Sequence, residues 1–144
     1  MKILVLAMCL LTTVVYGFNR ESLENYYSTL KECANTLPTC GNEPNDVMLR
    51  IDAIQCVLTK YGIINKFAIL NLAQGLQYCE DWINDPIEVN MCMKIINECI
   101  NKVYQLKIKE IPQAVIECFV KEGVMGFITK SRKYALLKKE KIIL

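Results

Sequence analysis

The sequence predicts an all-α domain, a compact disulfide-stapled bundle of five or six helices. Apolar residues recur at the three- and four-residue spacing of helices in several separate segments. No segment shows the apolar–polar alternation of a half-buried strand. Eight cysteines occur in 144 residues, and most lie on the apolar helical faces, where they can meet one another. Together these features favour helix packed on helix.

The first 17 residues have the organisation of a secretory signal peptide. Lys2 gives a basic start, an apolar run covers residues 3–11, and residues 15–17 suit a cleavage site. The apolar run is too short to span a membrane. We therefore expect residues 1–17 to be removed and the rest to be secreted as one domain, in a compartment where cysteines oxidise.

The first helix is predicted over residues 19–35, with Asn19 as its N-cap and Pro38 beyond its end. Gly41 and the prolines on either side of it then predict an exposed turn that contains Cys40. Of the seven cysteines that follow residue 17, Cys40 is therefore the one outside a helical face.

Two further helices follow this turn. The second is predicted to begin at Asn45 or Asp46 and to end before Gly62. The third is predicted over residues 65–82. It is apolar on more than one face, so its periodicity is the weakest of the set, and Gly75 can break it in two.

The fourth helix, predicted over residues 85–104, organises the disulfides. Asp85 can accept hydrogen bonds from the free N–H groups of the first turn, and Pro86 needs none there. Cys92 and Cys99 share one face, and seven residues separate their Cα atoms by about 10.5 Å. A disulfide requires about 4.4–6.8 Å. Each of these cysteines must therefore bond to a different segment.

A fifth helix is predicted from Pro112, and a short helix with a frayed end can follow it. From Lys130 onward, six basic residues stand against Glu140 alone. That leaves ten basic and fourteen acidic residues over 18–129. The sequence therefore predicts a mildly acidic helical domain over residues 18–129 and a basic tail over residues 130–144.

No catalytic or metal-binding motif is recognisable. The chain has no histidine, which removes Ser–His–Asp and Cys–His nucleophilic sites and the Cys/His zinc sites. The remaining carboxylate pairs, Glu80 with Asp81 and Glu117 with Glu122, have no recognisable catalytic partner. We therefore expect a protein that is not an enzyme and that needs no cofactor or metal.

The basic tail is compatible with two descriptions. Its mixture of lysines, Tyr134 and leucines can lie on an anionic membrane surface. Such a terminus is more often a solvated, poorly ordered end. Membrane contact through the tail is therefore an alternative that is not favoured. Nucleic-acid binding is not expected of an acidic, secreted domain.

Several short motifs occur together in one order along the chain. Leu-Pro-x-Cys-Gly-Asn covers residues 37–42, and Arg50-Ile51-Asp52, Tyr78-Cys79, Asp85-Pro86, Cys99-Ile100 and Gly123-Val124 follow. With all seven cysteines after residue 17, these motifs resemble the ant venom allergen 2/4 family, best known from fire ants. The apolar stretch over residues 63–76 and the longer tail depart from the family's pattern.

The resemblance implies a secreted venom protein and allergen whose fold is similar to that of insect odorant- and pheromone-binding proteins. It implies a non-enzymatic carrier or scavenger of small hydrophobic ligands such as pheromones. The residues alone predict only that the apolar side chains fill a core. With the resemblance, the side chains expected to line a ligand cavity are Ile51, Ile54, Leu58, Phe67, Leu70, Leu76, Trp82, Ile95, Val103 and Phe119.

Three intrachain disulfides are expected, one joining the first two helices and two holding the fourth. The pairs put first are Cys33–Cys56, Cys79–Cys99 and Cys92–Cys118. Because spacing does not decide between them, the last two can be exchanged for Cys79–Cys92 with Cys99–Cys118.

Cys40 is left over by this pairing. An exposed thiol in an oxidising compartment rarely stays free, and a two-fold axis can bring identical loops together. The resemblance points to the same residue, because the matching loop cysteine of the family joins two subunits. We therefore expect a homodimer linked through Cys40.

Overall fold

The computed structural model describes residues 17–65, 69–103 and 105–143. Within them lie six α-helices, two short 3₁₀ turns and no strand beyond one isolated bridge. The helices are α1 (Arg20–Thr36), α2 (Ile51–Lys60), α3 (Leu72–Trp82), α4 (Pro86–Val103), α5 (Ile111–Lys121) and α6 (Val124–Ile143). The predicted all-α, disulfide-stapled bundle is confirmed.

Several helix ends follow the predicted capping chemistry. The Asn19 side chain accepts a hydrogen bond of 3.0 Å from the Ser22 N–H at the start of α1. At the start of α4, the Asp85 carboxylate accepts from the Ile87 N–H at 2.9 Å, next to Pro86. Gly62, with a φ of 76°, follows the end of α2 in the left-handed conformation that glycine adopts easily.

Two predicted helices are shorter than expected. Asp46 caps a 3₁₀ turn, Val47–Leu49, and the extended Arg50 separates this turn from α2. The third helix begins at Leu72 instead of residue 65, because an isolated bridge between Ile64 and Leu70 occupies the preceding segment. α3 then continues through Gly75 without a break.

The core forms around α1, whose stripe of Leu23, Tyr26, Leu30 and Cys33 is almost completely buried. α1 packs against α2, α3 and α6, while α5 packs against α2, α4 and α6. The stripe follows helical spacing, as the sequence predicts. These contacts arrange the six helices around a common interior.

The three disulfides join helices that follow one another in the chain. Their pairs and Cα–Cα distances are Cys33–Cys56 (6.0 Å, α1 to α2), Cys79–Cys92 (5.9 Å, α3 to α4) and Cys99–Cys118 (5.8 Å, α4 to α5). The pairs Cys79–Cys99 and Cys92–Cys118, put first from the sequence, are wrong, and the exchanged pairs are present.

The exchange has a geometric reason. Cys79 lies near the end of α3 and Cys92 in the first half of α4, and only a short connection separates the two helices. The first half of α4 therefore returns beside α3. Cys99, in the second half of α4, instead faces α5. Each cysteine of α4 thus bonds to a different segment.

The predicted signal peptide lies almost wholly outside the described residues and stays a prediction.

At the other end, the predicted division between residues 129 and 130 falls inside α6, which continues to Ile143. Ile128, Ser131 and Ala135 of α6 are buried on one face. None of the helices in the described part of the chain is both long enough and apolar enough to cross a membrane.

Candidate functional site

An apolar cavity of about 70 Å³ lies between the helices, and all six contribute to its wall. One stripe of α3 forms a large part of this wall, because its lining residues recur every three or four positions. These are Leu72, Gly75, Tyr78, Cys79 and Trp82, after the cap Asn71. The others are Tyr26, Ile54, Leu58, Ile63, Leu70, Ile83, Cys92, Ile96, Ile100, Val115, Ile116, Phe119, Val124, Met125 and Ile128.

Aromatic rings stiffen the side of the cavity between α1 and α3. The ring centroids of Tyr26 and Trp82 are 4.2 Å apart, and those of Tyr78 and Trp82 are 4.3 Å apart. The indole N–H of Trp82 donates to the Ser22 hydroxyl of α1 at 2.9 Å. Because stacking and this hydrogen bond fix the indole, this wall of the cavity is held in one arrangement.

The predicted cavity residues divide into three groups. Those that line the cavity are Ile54, Leu58, Leu70, Trp82 and Phe119. Ile51, Leu76 and Ile95 are partly buried against the core away from the cavity, and Val103 is buried elsewhere. Phe67 lies outside the described residues. Ligand contact by any of them stays a prediction.

The sequence interpretation left out several lining residues, among them Tyr26, Tyr78, Ile96 and Met125. Tyr26 and Ile96 do fall on the apolar stripes of α1 and α4, so periodicity identifies them as core. Periodicity does not distinguish a core residue that borders a void from one that packs fully. That distinction depends on how all six helices meet.

The cavity is small for a ligand of odorant size. A buried cavity of about 150 Å³ accommodates benzene. The cavity of this protein has about half that volume. A larger molecule therefore enters only if lining side chains change rotamer. The wall reaches solvent at the first turn of α3, where Asn71 is exposed and Leu72 is 38% exposed.

The cavity wall is apolar and uncharged. None of the described lining residues carries a formal charge, and no group of carboxylates and cysteines suited to a metal ion occurs in the described part of the chain. Tyr26 is 1% exposed, and burial raises the pKa of its hydroxyl well above the usual value. The wall therefore favours a neutral occupant.

The loop that carries Cys40 lies on the surface away from this cavity. Cys40 is exposed and, among the described cysteines, is the one without a disulfide. The Glu43 carboxylate accepts hydrogen bonds from the N–H groups of Cys40 and Gly41. The bond from Cys40 is the main reason why the pKa of Glu43 is lowered. The side chain of Glu43 thus holds the backbone that presents the thiol.

Arg50 ties this loop to the ends of two helices. Its guanidinium donates to the carbonyl of Ala34 at 3.2 Å and to that of Pro38 at 3.1 Å. It also forms two hydrogen bonds, of 2.7 and 2.9 Å, with the Asp52 carboxylate. Arg50 is 7% exposed, so its charge is almost covered by these partners.

The predicted basic tail is partly packed on the bundle. Ser131 is fully buried, donates to the Asn84 side chain at 2.8 Å and accepts from the Asn84 N–H at 3.0 Å. Lys130 pairs with Glu88 at 2.7 Å. Farther along α6, the exposed large apolar residues are Tyr134 (46%), Leu136 (43%) and Leu137 (53%).

Comparison with known proteins identifies the family of this chain. A profile of the ant venom allergen Sol i 2 family matches residues 27–123, which include Cys40 and the six disulfide-bonded cysteines. The chain belongs to this family. The family predicted from the sequence motifs is therefore confirmed.

Venom allergens of three Solenopsis species align over most of the chain. Venom allergen 4 of Solenopsis geminata is 31% identical over 137 residues, covering 92% of this chain and 99% of that protein. Venom allergen 4 of Solenopsis invicta is 28% identical with the same coverage. Venom allergen 2 of Solenopsis saevissima is 30% identical over 129 residues, covering 86% and 93%.

Proposed function

We propose that this chain is a secreted, non-enzymatic venom protein that carries or sequesters a small hydrophobic ligand, such as a pheromone. The observation that carries the proposal is the apolar, uncharged cavity to which all six helices contribute. An apolar ligand gains about 25 cal/mol for each Å² of its surface that is buried. Burial alone can therefore provide affinity without a dedicated polar motif.

The family supports the part of this proposal that concerns venom and a non-enzymatic role. The relatives are named as venom allergens of Solenopsis species, which favours a venom protein and an allergen here as well. Those names describe no enzyme, and the absence of histidine from the chain removes the usual nucleophile–base pairs. Both points favour binding over catalysis.

The alternative is a membrane-active protein that uses the basic part of α6. Its support is the exposure of Tyr134, Leu136 and Leu137 among lysines. At about 100° per residue, however, Leu136 points far from Tyr134 and Leu137, and Lys138 lies close to Tyr134. An interfacial helix needs its apolar residues on one face. The carrier proposal is therefore the better supported.

We also propose that two copies are linked through Cys40. The thiol is exposed, its loop is held by Glu43 and Arg50, and the six other described cysteines pair within the chain. Such a loop can meet its own copy across a two-fold axis. The cavity lies elsewhere, so the link leaves ligand access unchanged.

Displacement of a fluorescent apolar probe, N-phenyl-1-naphthylamine, tests the carrier proposal. We expect saturable displacement by neutral apolar molecules and no binding to vesicles that contain anionic lipid. Vesicle binding without saturable displacement would instead support the membrane alternative. A variant with Lys138, Lys139 and Lys141 changed to Gln would then lose the vesicle binding, because the lysines attract the anionic lipid.

A further inference from the structure

Tyr26 contributes one of the few polar groups to a mostly apolar wall. The residue lines the cavity, is 1% exposed and packs its ring against Trp82 and Tyr27. Within the described residues, its hydroxyl forms no hydrogen bond, and the oxygen is not among the fully buried unpaired atoms, so it keeps a small accessible surface. A hydroxyl that is almost removed from water and has no partner can gain a hydrogen bond from an acceptor in the cavity. Tyr26 therefore has an unused capacity to hydrogen-bond something in the cavity.

The other polar groups of the wall are already occupied or solvated. The Trp82 N–H donates to Ser22, and the Asn71 side chain caps α3 by accepting from the Gln74 N–H at 3.2 Å. Tyr78 is only half-buried and also borders a polar surface depression beside Glu21. Among the described lining residues, Tyr26 thus combines a residue exposure of 1% with a hydroxyl that makes no hydrogen bond to another described residue.

We propose that the Tyr26 hydroxyl hydrogen-bonds the ligand, so that the cavity selects neutral apolar molecules with one carbonyl, ester or hydroxyl oxygen. This inference rests on the proposed carrier function and names the chemical class of its ligand. A tyrosine hydroxyl is protonated at neutral pH, so it can donate to an oxygen acceptor. The rest of the wall receives the hydrocarbon part of the molecule.

The same wall disfavours charged ligands. A fatty-acid carboxylate or a protonated amine would lose its hydration, and none of the described lining residues supplies an opposite charge. A neutral oxygen loses less hydration free energy than a charged group when it moves from water into the cavity. It also regains one hydrogen bond, from Tyr26. The expected selectivity is therefore for one neutral oxygen function, over ionised molecules of the same length.

A cycle of two variants and two ligands tests this inference. The displacement constants of 2-octanone and octane are measured with wild type, Tyr26→Phe and Tyr27→Phe. Tyr27 is the matched control because its hydroxyl bonds to Thr129 at 3.4 Å and the residue is not part of the cavity wall. We expect Tyr26→Phe to weaken the binding of 2-octanone about fivefold, as the loss of one neutral hydrogen bond implies. Tyr26→Phe should not weaken the binding of octane, and Tyr27→Phe should change the displacement constant of neither ligand.

The infrared carbonyl band of bound, carbon-13-labelled 2-octanone gives a second readout. It should lie lower in wild type than in Tyr26→Phe, because hydrogen bonding weakens the C=O bond. An identical band in both proteins, or equal effects of Tyr26→Phe on both ligands, overturns the inference and leaves the carrier function standing. If neither ligand displaces the probe from wild type, the carrier function itself fails, and this inference with it.

Discussion

Arg50 is a buried cation that joins three parts of the chain: the end of α1, the segment before Cys40, and the start of α2. A planar guanidinium can donate to two carbonyls and to a carboxylate at once, whereas an ammonium cannot reproduce that geometry. Arg50 therefore sets where the Cys40 loop lies relative to the helices.

We expect Arg50→Lys to lower the urea midpoint of unfolding clearly, because the carbonyls of Ala34 and Pro38 lose their donors. Lys102→Gln is the control, since its contact in the described part of the chain is an exposed ion pair of 3.9 Å with Glu122, and such pairs contribute little. Equal midpoints for the two variants would show that the Arg50 contacts do not stabilise the fold.

The Asp52–Arg50 pair also predicts how stability depends on pH. The hydrogen bond from Arg50 lowers the pKa of Asp52 in the folded protein. The pair therefore contributes fully above the usual carboxyl pKa, about 4, and its contribution is lost as the pH falls through the lowered value. Between pH 5 and 2, we expect the urea midpoint of wild type to fall more than that of Asp52→Asn.

The exposed carboxylate of Glu117 provides the control for this titration. Glu117→Gln should preserve the acid-induced fall of the wild type, because Glu117 lies on the surface of α5. The contradictory result would be equal slopes for wild type and Asp52→Asn over the acid range.

At the scale of single elements, the buried Ser131 hydroxyl links α6 to the connection between α3 and α4. Ser131→Ala would leave the N–H of Asn84 without its acceptor in the connection between α3 and α4. We expect a loss of about 1–3 kcal/mol in the free energy of unfolding and faster amide exchange along α6. Lys139→Ala, on the exposed side of α6, should change neither quantity. Slow exchange along α6 in Ser131→Ala would contradict this account.

The disulfides of α4 can be tested by peptide mapping without reduction. We expect linked peptides that contain Cys79 with Cys92 and Cys99 with Cys118. Replacing both Cys99 and Cys118 by Ser should cost about 3 kcal/mol, because that bond closes a loop of 19 residues in the unfolded chain. A peptide linking Cys79 to Cys99 would contradict the structure.

The start of a helix can be predicted from the sequence where a capping or first-turn residue is followed directly by a regular apolar stripe. Asn19 and Pro86 mark real helix starts because each is followed by a regular apolar stripe. The start of α3 does not follow, since apolar residues continue from Ile63 through Leu72 without a single period. The start of α3 is set by the pairing of Ile64 with Leu70 and by the cap at Asn71. Hydrophobic periodicity cannot detect a helix start that depends on such a contact between segments.

For the whole molecule, the cavity is the least predictable feature. Sequence spacing places Ile54 and Ile95 equally well in the core, yet only Ile54 borders the void. The void exists because six helices, fixed by three disulfides, leave space that their side chains do not fill. Such a space depends on all packing distances at once, whereas periodicity reports one helix at a time.

The assembly of the whole molecule depends on Cys40. We expect Cys40→Ser to halve the mass on a non-reducing gel and to leave the helical circular-dichroism spectrum unchanged, because Cys40 is exposed and outside the core. Lys94→Ser, at an exposed position of α4, is the control and should run as a dimer. Wild-type protein that runs as a monomer without reductant would disprove the covalent dimer.

We propose that the cavity between the six helices is the ligand-binding site. Gly75 lies in the cavity-facing stripe of α3, and no described atom beyond its neighbours and its own helix backbone would lie within 4 Å of an added Cβ. The Leu side chain of Gly75→Leu should therefore occupy the space that a ligand needs. Gly126 of α6 is the matched control: it is exposed, equally open around an added Cβ, and not part of the cavity wall.

The most direct measurement is the dissociation constant of N-phenyl-1-naphthylamine for wild type, Gly75→Leu and Gly126→Leu. Both substitutions replace helical glycine by a better helix former, so neither should unfold its helix. We expect Gly75→Leu to weaken probe binding at least about tenfold, the equivalent of about 1.4 kcal/mol, and Gly126→Leu to leave it unchanged. Unchanged binding to Gly75→Leu would show that the ligand does not occupy this cavity.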